Sequence, residues 1–190
     1  MDKPKAEKSG GDAGNKVRNY IALGLVALAV VLFVVWLVSG DDDSSSSSSD
    51  SGEAAIVSVD ELREESAEGT PIYWAGERQG TELELSRPDA QRTYVRYLTD
   101  GAKAGDQRPN FLTIGTYESA DPVAELQRQG KEDGAVLGKA PGGATVYFNS
   151  AQPQSVYVAF ADVDAQIEVF DPNFKQALQL VNSGQIVPSD

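Results

Sequence analysis

Tyr20–Val38 reads YIALGLVALAVVLFVVWLV, a stretch with no charged residue, no proline and a single glycine, Gly24. As a helix rising about 1.5 Å per residue, it covers nearly the whole ~30 Å hydrocarbon core of a bilayer. Because it is apolar on every side, a membrane-spanning helix is favoured over a buried helix of a soluble core. Tyr20 and Trp36 lie near its ends, where aromatic rings favour the membrane interface. The stretch therefore predicts one N-terminal transmembrane helix over 20–38.

The charges that flank this helix predict its orientation. Lys16 and Arg18 precede it, whereas Asp41–Asp43 follow it. Positively charged residues remain in the cytoplasm, so we expect a single-pass, signal-anchored protein of the plasma membrane with its N-terminus inside. A cleaved signal peptide is the alternative. It is disfavoured because the apolar run exceeds the usual ~7–15 residues and bulky side chains occupy the cleavage region.

Composition divides the rest of the chain into three parts. Residues 1–19 are polar and lack an apolar period, which predicts a disordered cytoplasmic tail. Residues 39–53 contain six consecutive serines between acidic residues, which is typical of a solvated linker; a metal site at Asp41–Asp43 is the less favoured alternative. Residues 54–190 are long enough for one extracytoplasmic domain. That domain carries 11 basic and 21 acidic side chains, so nucleic acid is not an expected partner.

The chain contains neither cysteine nor histidine. A disulfide scaffold, a zinc–thiolate site, a cysteine nucleophile and a Ser–His–Asp triad are therefore excluded. No nucleophile elbow or phosphate-binding loop occurs, and Pro141–Gly143 is better explained as a hairpin turn than as a phosphate cradle. We expect no catalysis, no cofactor and no metal site, and the sequence assigns no catalytic or binding residue.

The outer domain has the pattern of an α+β fold. Ser58–Glu61 is a capping box, and Asp121-Pro122 and Asp171-Pro172 are further helix starts, so three helices are expected, ending near Gly69, Gly130 and Gly184. Alternating apolar residues predict a mostly antiparallel sheet. The predicted strands lie near 72–75, 83–85, 93–98, 111–117, 135–139, 146–148, 156–160 and 166–170.

The strand pattern repeats along the domain. An offset of 63 residues aligns Leu83 with Val146 and Tyr94 with Tyr157. After a shortening by 8 residues, Ile114 aligns with Val169, and a helix start follows each copy. The pattern is compatible with two tandem units, each a β-meander followed by a helix. The alternative is that any two half-buried meanders share such a pattern.

Several polar residues are candidates for function. A carboxylate pair can hydrolyse glycosides without histidine, but we expect Glu82 and Glu84 to lie on a solvated strand face. Asp162–Asp164 resembles the start of a calcium loop but lacks its glycine and distal glutamate, so a turn is favoured. The candidate carboxylates are Glu77, Glu82, Glu84, Asp162 and Glu168.

Aromatic residues are a second group of candidates, since they anchor interfaces and ligand grooves. Tyr73 and Trp74 are neighbours on a strand, so only one of them is expected in the core. Arg78 and Arg96 could together hold an anionic group. The alternative is ordinary core packing with solvated arginines. The aromatic candidates are Tyr73, Trp74, Tyr94, Tyr97, Tyr147 and Tyr157.

Four stretches carry a resemblance to known proteins: Pro71–Gly76 (PIYWAG), Thr93–Leu98 (TYVRYL), Phe111–Tyr117 (FLTIGTY) and Gln166–Pro172 (QIEVFDP). Residues 58–187 resemble membrane-anchored proteins of high-GC Gram-positive bacteria for which no activity is assigned. The resemblance implies a bacterial cell envelope location and implies no site residue.

Together these patterns predict a membrane-anchored extracytoplasmic binding or interaction domain of the bacterial cell envelope. The expected partners are the lipid bilayer, through residues 20–38, and an envelope protein or cell-wall component. A sensor of a small molecule or glycan, with its ligand between the two units, is the alternative. A carboxylate-based hydrolase is the third and least favoured reading.

Overall fold

The computed structural model of the chain describes residues 52–67 and 70–190. The predicted cytoplasmic tail, the transmembrane helix over 20–38 and all but the last two residues of the linker lie outside the described residues. Within the described ranges, no helix combines the length and the apolar character needed to cross a bilayer.

An eight-stranded antiparallel sheet organises the described residues, in the order β1-β3-β4-β5-β9-β8-β7-β6. A second, two-stranded sheet pairs β2 with β10. The α+β class, the three helices and the mostly antiparallel sheet predicted from the sequence are thus confirmed. The elements are β1 (Gly52–Val57), α1 (Val59–Ala67), β2 (Tyr73–Trp74), β3 (Glu82–Asp89), β4 (Arg92–Leu98), β5 (Leu112–Glu118), α2 (Pro122–Gln129), β6 (Ala135–Lys139), β7 (Thr145–Asn149), β8 (Ser155–Ala159), β9 (Ala165–Phe170), α3 (Phe174–Asn182) and β10 (Val187–Pro188).

Local sequence explains two of the three helix starts as expected. In the capping box, Ser58 N donates to Glu61 Oε2 over 2.7 Å, and Glu61 N donates to Ser58 Oγ over 3.2 Å. Asp121 caps α2 by accepting a hydrogen bond from the backbone of Ala124. The expected cap of α3 at Asp171 is wrong, because Asn173 caps that helix and Asp171 instead accepts from the Asn173 backbone.

The two faces of the large sheet differ in chemistry. The core face carries Val95, Ile114 and Ile167, and it packs with α1, α3 and β2 into the main hydrophobic core. The opposite face carries Arg96, Gly115 and Glu168, and we call it the polar face. Because side chains alternate along a strand, each strand contributes to both faces.

The expectation that only one of Tyr73 and Trp74 is buried is wrong. Both belong to the main hydrophobic core, and they are 3% and 7% exposed. The reason is that β2 lies over the core face: Tyr73 N donates to Thr116 Oγ1 of β5, and the Tyr73 ring stacks on Phe160 at 5.8 Å. A two-residue strand enclosed in this way buries both of its side chains.

The polar face is covered in two places. The loop 99–111 contributes Ala102 and Phe111, which form a small apolar cluster with Leu98. Helix α2 contributes Leu126, which packs with Tyr147 and Ala159. Between these covers lie the middle strands β5 and β9, which pair with each other.

The strand order reads symmetrically from its centre. β3, β4 and β5 form one meander, β7, β8 and β9 form another, and the last strand of each pairs antiparallel with the other. A helix follows each of these last strands, α2 after β5 and α3 after β9. The centre of the sheet is therefore the boundary between two similar halves.

Candidate functional site

Glu168 lies at this boundary, on the polar face of β9. Its neighbours Ile167 and Val169 are fully buried in the main core, so alternation directs Glu168 to the opposite face. There it pairs in register with Gly115 of β5. It is only 7% exposed, which is unusual for a carboxyl group because burial disfavours its charged form.

Three hydroxyl groups donate to this carboxyl group. Ser155 Oγ donates to Glu168 Oε1 over 2.6 Å, Tyr117 OH donates to Oε2, and Tyr157 OH donates to Oε1 over 3.4 Å. Within the described ranges, no lysine or arginine forms an ion pair with it. We call these four residues the Glu168 cluster: a buried carboxyl group held by neutral donors alone.

Gly115 provides the space that the cluster needs. A Cβ atom at this position would lie 2.9 Å from Cε2 of Tyr117 and 3.0 Å from its hydroxyl oxygen. The Tyr117 ring therefore lies back over Gly115, along its own strand. Gly115 is opposite Glu168 in the ladder, so a ring lying over Gly115 brings the Tyr117 hydroxyl group within hydrogen-bond distance of the Glu168 carboxyl group. Gly115 has no positive φ, so packing rather than backbone freedom explains this glycine.

The environment shifts the pKa of each titratable member of the cluster. Burial raises the pKa of Glu168 above its ordinary value of 4.5, although the hydrogen bonds from Ser155, Tyr117 and Tyr157 oppose that rise. Burial, and then the nearby Glu168 charge, raise the pKa of Tyr117 and Tyr157 well above the usual value. Both phenols thus remain protonated donors to the carboxyl group.

Two more tyrosines adjoin the cluster. Tyr94 meets Tyr117 edge to face, with ring centroids 5.8 Å apart, and Tyr147 lies 5.9 Å from Tyr157. Tyr94 is buried, and its pKa is raised by burial. The cluster is therefore bounded by aromatic rings from both halves of the sheet.

Glu84 was expected on a solvated face, and this expectation is wrong. It is 1% exposed, and its Oε1 accepts from Arg96 Nη1 over 2.7 Å. Its Oε2 accepts from the backbone of Gly105 over 2.5 Å. The loop 99–111 covers this part of the polar face, and the Arg96 charge compensates the carboxylate.

The two buried candidate carboxylates, Glu84 and Glu168, do not form a catalytic pair. Glu77, Glu82 and Asp162 are exposed. Glu84 and Glu168 share the polar face, but β4 and β5 lie between their strands. Three strand spacings separate them by about 14 Å, beyond the ~5–10 Å of glycosidase carboxyl pairs.

The expected anion site at Arg78 and Arg96 is not assembled. The Arg78 guanidinium lies over the ring of Tyr97, 5.9 Å from its centroid, and Tyr97 belongs to the main core. Arg96 lies on the polar face, where it binds Glu84 and the backbone oxygen atoms of Asp106 and Arg108. The two side chains are thus on opposite faces of the sheet.

Tyr97 and the Asp162–Asp164 segment have structural roles. The Tyr97 hydroxyl accepts from Ala75 N over 2.7 Å and donates to the backbone oxygen of Gly76, and burial raises its pKa to about 12. Asp162–Asp164 connects β8 to β9, and the Asp164 backbone oxygen accepts from Ser119 N. The described part of the chain contains no group of three or more carboxylates suited to hold a metal ion.

Sequence reasoning named Glu168 and Tyr157 but missed Tyr117 and Ser155. A signal existed for Tyr117: a glycine two residues before a tyrosine in a strand leaves room for the ring on the same face. Ser155 gives no comparable signal, because its contact depends on the pairing of β8 with β9.

Comparison of the chain with protein-family models, curated proteins and solved structures finds no match. A buried carboxyl group without a counter-charge, surrounded by hydroxyl groups and tyrosine rings, is complementary to a cationic amine or to a polar hydroxylated ligand.

Proposed function

We propose that the chain is a single-pass, membrane-anchored protein whose C-terminal domain binds a partner outside the plasma membrane, without catalysis. The observation that carries the proposal is the uncharged stretch Tyr20–Val38, with basic residues before it and acidic residues after it. The stretches PIYWAG and FLTIGTY support a bacterial envelope protein by resemblance. The partner is an envelope protein or a cell-wall component.

A topology measurement tests this proposal. A reporter that is active only outside the cytoplasm is fused after Asp190, and a reporter that is active only inside is fused at the same position. We expect activity from the first fusion and none from the second. The matched control lacks residues 20–38, and it should reverse the result. Activity of the cytoplasmic reporter on the intact chain would refute the orientation.

We also propose that the two halves of the sheet descend from one duplicated unit. Support comes from the strand order, in which β3, β4 and β5 correspond to β7, β8 and β9 around a central pair. The sequence offset aligns the same strands, with Leu83 on Val146 and Ile114 on Val169. A superposition of residues 82–129 on residues 145–182 tests this proposal. If the residues aligned in the sequence do not coincide in space, the proposed duplication is refuted.

The Glu168 cluster favours a second candidate function, the recognition of a small ligand. The specific observation is a buried carboxyl group without a cationic partner at the boundary of the two halves. An amine would form an ion pair with Glu168 and contact the tyrosine rings, whereas a neutral glycan would use the hydroxyl groups alone.

Thermal unfolding of the full chain in detergent, with amines and cell-wall saccharides, tests the second candidate. A ligand that binds only the folded state at 100 times its Kd adds about 2.7 kcal/mol of stability. An amine site predicts a shift that Glu168→Gln abolishes, and Glu77→Gln serves as the exposed control. A flat response, or a shift that Glu168→Gln preserves, would eliminate the cluster as the site.

A further inference from the structure

Three aromatic residues surround Glu168 on the polar face of the large sheet. Tyr157 of β8 pairs with Glu168 in register, and Phe170 follows Glu168 by two residues on β9. Tyr117 follows Gly115, the partner of Glu168 on β5, by two residues. Alternation places all three side chains on this face, and each is partly exposed. We call Tyr117, Tyr157 and Phe170 the aromatic surface.

The two tyrosines of the aromatic surface direct their hydroxyl ends toward the carboxyl group. Tyr117 OH and Tyr157 OH both donate to Glu168. The carboxyl side is closed from solvent, since Glu168 is only 7% exposed, whereas both tyrosines are partly exposed. A solute that approaches this face therefore meets aromatic rings before it meets the carboxyl group.

The carboxyl group beside these rings has no cation to balance its charge. Within the described ranges, no lysine or arginine forms an ion pair with Glu168. Arg92 lies opposite Tyr117 in the ladder, but its own ion pair is with Asp89. Residues 54–190 carry 11 basic and 21 acidic side chains, so the domain as a whole attracts cations. A cationic solute therefore complements this face.

The aromatic surface discriminates among cations by their hydration. A metal ion or a primary ammonium group would lose water at the rings and would gain little direct contact with the buried carboxyl group. A quaternary ammonium group is weakly hydrated, and its charge is attracted to the faces of aromatic rings. A neutral saccharide could stack on the same rings, but it would leave the charge of Glu168 unbalanced.

We propose that the aromatic surface binds a quaternary ammonium group, which contacts the rings of Tyr117, Tyr157 and Phe170 and is attracted by the Glu168 carboxylate. This inference rests on the second candidate function, ligand recognition by the Glu168 cluster, and it narrows the ligand to one chemical class. The hydroxyl groups remain bonded to Glu168, so the ligand binds without breaking the cluster.

Choline and 3,3-dimethylbutanol test the requirement for charge, because the second compound has the shape of choline with carbon in place of the charged nitrogen. Equilibrium dialysis of the full chain in a non-ionic detergent measures both affinities, and micelles without protein correct for partitioning. We expect choline to bind about tenfold more tightly than the neutral compound. Equal binding of the two compounds, or no detectable binding of choline at millimolar concentrations, would overturn the proposal.

Two variants separate the buried charge from the net charge of the domain. Glu168→Gln preserves the shape of the side chain and removes its charge, so choline affinity should fall about tenfold while binding of the neutral compound stays unchanged. Glu77→Gln removes one exposed negative charge and should leave choline binding unchanged. Equal losses in the two variants would mean that net charge alone attracts choline, which would overturn the proposal.

NMR saturation transfer tests the contact with the rings independently. Irradiation of the aromatic protons of the full chain should transfer saturation to the N-methyl protons of choline. Phe170→Leu removes a ring that donates no hydrogen bond to Glu168, so it should reduce this transfer. Tyr147→Phe preserves its ring and should leave the transfer unchanged. Equal transfer in wild type and Phe170→Leu would refute the aromatic surface as the binding site.

The outcomes also separate this inference from the function on which it rests. Binding of a cell-wall saccharide without binding of choline would overturn the quaternary ammonium site and leave ligand recognition by the cluster in place. Failure of every compound to bind would overturn both. Neither result affects the membrane topology, which the reporter fusions measure separately.

Discussion

Glu84 and Glu168 are both buried on the polar face, one in each half of the sheet, but they are compensated differently. Glu84 has a full positive charge beside it, from Arg96, and a backbone donor from Gly105. In the part of the chain that the structure describes, Glu168 accepts hydrogen bonds only from the hydroxyl groups of Ser155, Tyr117 and Tyr157. The first arrangement gives the carboxylate an opposite charge, whereas the second gives it hydrogen bonds from neutral groups.

The difference separates a structural carboxylate from a candidate for binding. Arg96 also donates to the backbone of Asp106 and Arg108 and lies 5.1 Å from the centroid of Phe111, so the Glu84 pair holds the loop 99–111 on the sheet. Within the described residues, the hydrogen bonds to Glu168 come from side chains of β5 and β8 and not from a loop. Burial of a charge is therefore not by itself a sign of function; the sign is burial without an opposite charge.

Arg96→Met should give the largest effect, because it leaves Glu84 buried without its partner. We expect a loss of about 3–5 kcal/mol in the free energy of unfolding. Urea unfolding of residues 54–190, the outer domain predicted from the sequence, measures it.

Arg108→Met is the matched control for Arg96→Met. Arg108 also lies over the Phe111 ring, at 5.3 Å, but it is exposed and pairs with Asp106 at the surface. We expect a much smaller loss. Combining Glu84→Gln with Arg96→Met should recover part of the stability, since the isolated charge is removed. Equal losses for Arg96→Met and Arg108→Met would mean that burial of the pair does not govern the result.

Gly115→Ala should cause the next largest loss in the free energy of unfolding, and this substitution affects the Glu168 cluster. The added Cβ atom would lie 2.9 Å from the Tyr117 ring, so the ring must leave its position. Overpacking of this kind costs about 1–3 kcal/mol. Gly138→Ala is the control, since nothing lies within 4 Å of its added atom. Combining Gly115→Ala with Tyr117→Ala should relieve the clash, and equal effects at both glycines would contradict the packing argument.

More of the fold than of the Glu168 cluster could be predicted from the sequence. Helix caps such as Ser58–Glu61 and the alternation of Leu83 with Leu85 are local, so they could be read along the chain. By the same alternation, the sequence predicts that Glu84 is exposed to solvent. The loop that buries it lies about 20 residues later in the chain, so the local pattern does not reveal it. Ser155 reaches Glu168 only through strand pairing, and no local pattern encodes that contact.

Tyr117→Phe should have a smaller effect than Gly115→Ala, because it removes one donor from Glu168 and preserves the ring. We expect a loss of about 1 kcal/mol in the free energy of unfolding, the usual net value of one hydrogen bond. Since that bond lowers the pKa of Glu168, the variant should also raise it. Carboxyl-carbon NMR measures this pKa. Tyr147→Phe is the control, because the Tyr147 hydroxyl group does not contact Glu168 in the described structure. An equal change in the Glu168 pKa in Tyr147→Phe would refute Tyr117 as the donor.

The pH dependence of stability should show the smallest effect and the most specific one. Burial raises the pKa of folded Glu168 above 4.5, so between its unfolded and folded pKa values the folded state binds more protons. Stability from this group is complete below the unfolded pKa and is lost as the pH rises through the folded pKa, by at most ~1.4 kcal/mol per pH unit. The free energy of unfolding of wild type relative to Glu168→Gln should therefore fall with rising pH.

Glu61 is the control for this pH dependence, because the hydrogen bond from the Ser58 backbone lowers its pKa. Its contribution to stability is lost as the pH falls, so the free energy of unfolding of wild type relative to Glu61→Gln should rise with rising pH. Slopes of the same sign for Glu168→Gln and Glu61→Gln would mean that Glu168 is stabilised as an anion by its hydroxyl groups, and the contrast with Glu84 would then lie in the bonding partners and not in the charge.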